Sequence, residues 1–296
     1  MNPYDHLRGA EIANGTASWG EDRVMLYAVG VGAGLQDPAD ELQFTTENTP
    51  GQPLQVIPGF LTTLNVPGKD WPRMLGWDGP GGFPVGLVHG EQSVTLVRPI
   101  PTSGAVRLRS VLEGVHDKTS GALVVMDAEV RLEGSDELLG MLRTRLFALG
   151  KGGFGGPRRP ADDGADWALP DRAPDLVVSL PVGLNQSLIY RHMGDHREHG
   201  TLMADALADG FERPIFYGLG SFGLACRALI KGLCGGDANR LGHIELRMAK
   251  PVYPGDRLDT QIWHTDDGAL FRVLANGERV SLDRGRFRFR GPIQVR

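Results

Sequence analysis

The densest group of side chains able to move protons is His192-Met193-Gly194-Asp195-His196-Arg197-Glu198-His199-Gly200, with three of the chain's eight histidines beside two carboxylates. A carboxylate and an imidazole that share one water can take a proton from it and deliver another nearby, the work of a general acid–base pair. Two other readings fit the same residues. On a helix His192, His196 and His199 would share a face and could ligate a metal, although Gly194 and Gly200 disfavour a regular helix. As a solvated polar loop, the segment would do no chemistry. A second group is Arg284, Arg286, Arg288 and Arg290, alternating with Gly285, Phe287 and Phe289. On a strand the four cations share a face, either solvated or holding an anion such as a cofactor phosphate. The glycine motifs are incomplete. Gly30-Val31-Gly32-Ala33-Gly34 lacks the spacing of a dinucleotide loop, and Gly152 stands where Gly150-Lys151 would need Ser or Thr to bind phosphate. Leu219 replaces the first Gly of a nucleophile elbow around Ser221.

The elements that must position these residues read as mostly strands. Ser93 to Ile100, Ala105 to Val115, Ala122 to Leu132 and Glu137 to Leu149 alternate apolar and polar residues, separated by turn residues. They predict an antiparallel meander. A second run comprises Ile244 to Val252, Arg257 to His264, Ala269 to Leu274 and Arg279 to Arg290. Arg98-Pro99-Ile100-Pro101 is matched in type by Lys250-Pro251-Val252-Tyr253-Pro254, and Gly121-Ala122-Leu123 by Gly268-Ala269-Leu270. The spacing points to a duplicated unit. Helices are predicted over Glu21 to Val31, Leu202 to Leu207 and Ile215 to Leu233; the last is apolar nearly all round and therefore buried. Pro157 to Pro174 has no apolar period and reads as a linker, giving units over 1–156 and 175–296.

Composition narrows the function classes. The chain has 296 residues, enough for a sizeable core, and 31 Lys+Arg against 36 Asp+Glu give a net charge of -5. That balance argues against a nucleic-acid binder. Two cysteines, Cys226 and Cys234, make neither a disulfide framework nor a zinc pattern. A reducing, cytoplasmic setting is expected. No apolar stretch nears the ~18 residues of a membrane span, and no secretory signal is visible.

Several separated motifs, in order, resemble one family. Asn185-Gln186-Ser187-Leu188-Ile189-Tyr190-Arg191, Gly194-Asp195 and Ala208-Asp209-Gly210-Phe211-Glu212-Arg213-Pro214-Ile215 to Gly218-Leu219 look like the MaoC-like, R-specific type 2 enoyl-CoA hydratases. So do Leu26 to Ala33, His89-Gly90-Glu91-Gln92, Gly152-Gly153-Phe154-Gly155-Gly156 and Lys250 to Gly255. The resemblance implies an α+β tandem double hotdog, each unit an antiparallel sheet wrapped around a long helix. It implies reversible hydration of an acyl-CoA or acyl-carrier enoyl thioester, in fatty acid metabolism, with no metal or redox cofactor. Catalytic roles fall on Asp195, on His199 as its partner and on the Gly218 backbone N–H as oxyanion donor. Tyr217, Arg197, His196, Gly90, Lys151 and Phe154 would contact substrate. A homodimer is possible. The family motif Gly-Asp-x-Asn-Pro-Leu-His places Gly200 at its His position. That leaves three expectations: His199 substitutes, Tyr217 or Arg197 alters the chemistry, or the protein binds an acyl thioester without hydratase turnover.

Overall fold

Alternation of apolar and charged residues builds the strands. In Gly104–Asp117, Val106 and Leu108 are buried while Arg107 and Arg109 beside them are exposed, so one face of the strand carries the core. The computed structural model describes residues 2–66, 68–77, 86–160, 167–194, 201–208 and 210–291. In chain order its elements are β1 (Glu11–Trp19), α1 (Glu21–Gly30), α2 (Leu42–Thr45), α3 (Trp71–Met74), β2 (Leu87–Leu96), β3 (Gly104–Asp117), β4 (Gly121–Leu132) and β5 (Leu138–Leu149). There follow β6 (Leu176–Pro181), α4 (Gln186–Tyr190), α5 (Met203–Ala208), α6 (Gly218–Leu233), β7 (Leu241–Met248), β8 (Arg257–Thr265), β9 (Gly268–Ala275) and β10 (Arg279–Phe289).

The strands form one ten-stranded sheet in the order β1-β3-β4-β5-β2-β7-β10-β9-β8-β6. Counted from the first strand of each half, the two halves have the same order. The duplication read from the sequence is therefore present as topology. Its glycine landmark also has a physical reason. Gly121 opens β4 and Gly268 opens β9, where a Cβ would stand 2.6 Å from the Ala148 carbonyl oxygen and 2.0 Å from that of Phe287. Both halves thus need the same close approach between backbones.

The structure corrects the predicted meander. β2 pairs with β5, not with β3, and on its other side with β7, residues Glu91–Thr95 facing Arg247–His243. Likewise β7 pairs with β10. The Pro101 to Gly104 turn thus starts a crossover. β1 and β6, which end the sheet, were not foreseen.

The core lies on the inner face, against α6. Phe222, Leu224, Cys226, Leu229 and Ile230 are fully or almost fully buried, and each large apolar side chain so placed contributes about 1.5–3 kcal/mol. Arg227, also buried, donates from Nη1 to the Val31 carbonyl oxygen at 2.8 Å and forms an ion pair with Glu41. This tether links α6 to the segment after α1. Among the described residues the long helix occurs only in the second half. In the first, the corresponding β1–β2 connection consists of α1, α2, a 3-10 turn over Pro58–Thr63 and α3. The expectation of a long helix in each unit is corrected accordingly.

Candidate functional site

The site centres on the start of α6. Phe216 N–H donates to the Val252 carbonyl oxygen at 2.7 Å, and Tyr217, in extended conformation (φ -56°, ψ 143°), leads into Gly218. The first-turn N–H groups of a helix lack intrahelical partners, and its dipole makes that end partly positive. Gly218 therefore offers an N–H suited to a developing anion. α4 holds this end from behind. Ser187 Oγ donates to the Ile215 carbonyl oxygen at 2.9 Å, and Gln186 Nε2 donates to the Val29 and Gly30 carbonyl oxygens, both at 2.7 Å. Tyr190 packs against Phe216 and Tyr217 with ring centroids 5.9 and 5.8 Å apart.

A cavity of about 660 Å³ lies mainly in the first half, where no long helix among the described residues fills the sheet. Its walls include Ile12, Trp71, Leu108, Met126, Ala128 and Leu142, with His89, Gln92, Ser110 and Thr144 among them. It also touches Leu219, next to Gly218, and Asn65. Asn65 meets the other half of the expected site: a Cβ on Gly194, which has φ +104°, would lie 3.2 Å from Asn65 Nδ2. The residue preceding Asp195, the helix tip and the cavity are thus neighbours.

Asp195, His196, Arg197 and His199 lie outside the described residues. The metal reading also rests on His196 and His199, and its third member, His192, is exposed. Tyr217 is fully buried in the aromatic packing and is not among the residues lining the cavity. Gly90 marks a register shift in β2 between His89 and Glu91, where a Cβ would lie 3.2 Å from the Arg145 carbonyl oxygen. Phe154 packs edge-on against Tyr4, ring centroids 5.0 Å apart, and neither it nor Lys151 lines the cavity. The Gly-rich segment is instead fastened by Asp117, whose carboxylate accepts from the backbone N–H groups of Gly153, Thr119 and Gly155 at 2.9, 2.6 and 2.5 Å. These bonds, led by that of Gly153, hold its carboxyl below the ordinary carboxylate range.

In the arginine run of β10, Arg284, Arg286 and Arg288 line a cavity of about 410 Å³ beside Arg143, Arg145 and Arg247, and Arg290 is half-buried. Arg286 Nε lies 3.0 Å from Glu245 and Arg288 Nε 3.0 Å from Asp267, while Arg284 sits at φ 53° where the register with β7 and β9 shifts. Sequence reasoning missed Asn65, Ser110 and Thr144 as cavity residues. The available signal was polarity: Ser110 and Thr144 interrupt otherwise apolar inner positions.

A family model described as the MFE-2 hydratase 2 N-terminal domain matches residues 18–150, and one described as the MaoC like domain matches residues 167–283. The chain is 37% identical to 3-hydroxyacyl-thioester dehydratase Y of Mycobacterium tuberculosis over 90% of its own length and 91% of the relative's. It is 33% identical to the peroxisomal enoyl-CoA hydratase 2 of Arabidopsis thaliana, covering 88% of this chain and 86% of that protein. Among solved structures, a MaoC-like dehydratase from Phytophthora capsici superposes with a TM-score of 0.83 at 28% identity, with full coverage of both chains.

Proposed function

The chain belongs to the MaoC-like hydratase 2 family, and from that premise we propose that it adds water reversibly to a trans-2-enoyl thioester, giving the (R)-3-hydroxyacyl thioester. One O–H bond of water breaks and its oxygen bonds to C3. The C2=C3 electron pair moves to C2 and onto the thioester oxygen, and a proton then bonds to C2. In this reading Asp195 takes the proton from water, with His199 as its partner, and the Gly218 N–H receives the developing oxyanion. One such donor supplies about 3–4 kcal/mol of barrier lowering. The thioester carries its own activated carbonyl, so the reaction needs neither a metal nor a redox cofactor. The substrate is an acyl-CoA or acyl-carrier thioester, and we place the protein in a reducing cytoplasm, as a monomer or homodimer.

The observation that carries this reading is the convergence of Gly194, the tip of α6 and the cavity of about 660 Å³, a size suited to a small-molecule acyl chain. Loss of the enone ultraviolet absorbance of a trans-2-enoyl-CoA measures turnover. Asp195→Asn should abolish it. Gly218→Pro is a sharper test, because proline at the first helical position removes the N–H and little else. Tyr217 already has the extended backbone a following proline requires, and the nearest atom to a Cβ there is Met248 Cγ at 3.6 Å. A correctly folded Gly218→Pro variant should lose about 10²- to 10³-fold in kcat; unchanged turnover would remove Gly218 from the mechanism. Because Gly200 occupies the family's His position, a second reading is acyl-thioester binding alone. Thioesters that raise the melting temperature but are never hydrated would establish it.

A further inference from the structure

The inner face of the first half breaks its own pattern. Strand register aligns Gln92 of β2 with Thr144 of β5, Thr144 with Met126 of β4, and Met126 with Leu112 of β3. Positions on this face are otherwise mostly apolar: Val94, Leu96, Leu142 and Ala148 are buried on the same two strands. The equivalent strands of the second half, β7 and β10, present Ile244, Leu246, Leu282 and Phe287 inward, all buried. Polar side chains at core positions cost stability unless they are hydrogen-bonded.

The hydrogen bonds of this row leave a defined set of free valences. Gln92, 3% exposed, accepts at Oε1 from Thr144 Oγ1 at 3.0 Å and pairs there with His89 Nε2 at 3.1 Å. Its Nε2 donates to the Ser93 carbonyl oxygen at 2.9 Å. A carbonyl oxygen only accepts, so this contact fixes which end of the amide is nitrogen. Both acceptor sites of the amide oxygen and one of its two N–H donors are used. The second N–H finds no acceptor among the described residues, and Thr144 Oγ1, having donated its proton, keeps its lone pairs. All three residues line the cavity, and Ser110 adds a hydroxyl to the same wall.

Resting on the hydratase reading above, we infer that Gln92 and Thr144 select acyl chains that carry a hydroxyl group on the tail, away from the reacting double bond. A hydroxyl is the matching group because it can accept from the Gln92 N–H and donate to Thr144 Oγ1 at once. A ketone can only accept, and a methylene leaves both valences dry.

The test compares trans-2-enoyl-CoA thioesters of one chain length: unsubstituted, and with a single hydroxyl or keto group at successive tail carbons. One hydroxylated isomer should exceed the unsubstituted thioester in kcat/KM by roughly three- to tenfold, the worth of one net hydrogen bond. It should also exceed its keto counterpart. Thr144→Val and Gln92→Met should each lower that ratio, since each removes one of the two bonds. Thr144→Val should also abolish the preference over the keto counterpart, which can still accept from the Gln92 N–H. The wild-type comparison stands even if a variant fails to fold. Turnover of every thioester with no preference for any hydroxylated isomer overturns the inference and leaves the hydratase reading intact. A keto isomer that equals or outdoes the hydroxylated one also overturns it. If no thioester is hydrated, the hydratase reading falls. The selectivity is then read from melting temperatures with saturated acyl-CoA ligands: a larger shift for a hydroxylated tail supports it, and equal shifts overturn it.

Discussion

Tyr27 shows how closely single residues are fitted around α6. Its hydroxyl is fully buried and has no hydrogen-bond partner among the described residues, and burial pushes its pKa well up. The space it occupies exists because two neighbours are glycine. A Cβ on Gly59 would lie 2.3 Å from the hydroxyl, and one on Gly223 2.4 Å from it. Tyr27→Phe removes an unsatisfied buried group and should raise stability by about 1 kcal/mol. Gly223→Ala overpacks the slot and should cost about 1–3 kcal/mol or more. Urea titrations of the two single variants and the double should show coupling, the double being less damaged than the sum predicts. A destabilised Tyr27→Phe would mean that the hydroxyl has a partner in solution. At this scale the sequence was only partly legible. Gly194 and Gly218 were picked out by motif, but nothing in a string of residues says that Tyr27 needs Gly59 and Gly223. Likewise the place of His89 beside Gln92 on the cavity wall depends on the register shift at His89/Glu91, which no local pattern reveals.

Among elements, the Gly-rich segment after β5 depends on one carboxylate. Asp117 accepts three backbone N–H groups from it and from the β3–β4 turn, which depresses its pKa below the ordinary 3.8. A carboxylate with a lowered folded-state pKa contributes stability that is complete above its unfolded value and is lost as pH falls through the folded one. Asp117→Asn should therefore lower the melting temperature at neutral pH. The gap to wild type should narrow as pH drops below the carboxylate range. Parallel curves across that range would show that the charge is not the cause. Elements with strong periodicity were readable in advance. α6 announced itself by being apolar on nearly every side, and β3 to β5 by stretches of alternation bounded by turn residues. β1 did not, because along Glu11–Trp19 only Ile12 and Trp19 are buried. Nor could local turns reveal that β2 pairs with β5 and β7, since both pairings are distant in sequence.

In the whole molecule, the two halves share one sheet through β2 and β7. A half expressed alone would expose the row of unpaired backbone groups that its partner now covers. Residues 1–156 and 175–296, produced separately, should aggregate or self-associate in light scattering, whereas co-expression should recover a one-to-one complex. Two stable monomeric halves would show that the seam is dispensable. No described helix is long and apolar enough to cross a membrane.

The duplicated unit has been kept solid in one copy and hollowed in the other. The walls of the hollow come mainly from β1 to β5 and the connection between β1 and β2, whereas the Gly218 amide opens α6 and is held from behind by α4. Exchanging wall residues such as Met126 or Leu108 should resize the hollow without disturbing that amide. A scaffold divided in this way can change which molecules it accepts while the reaction it performs stays the same.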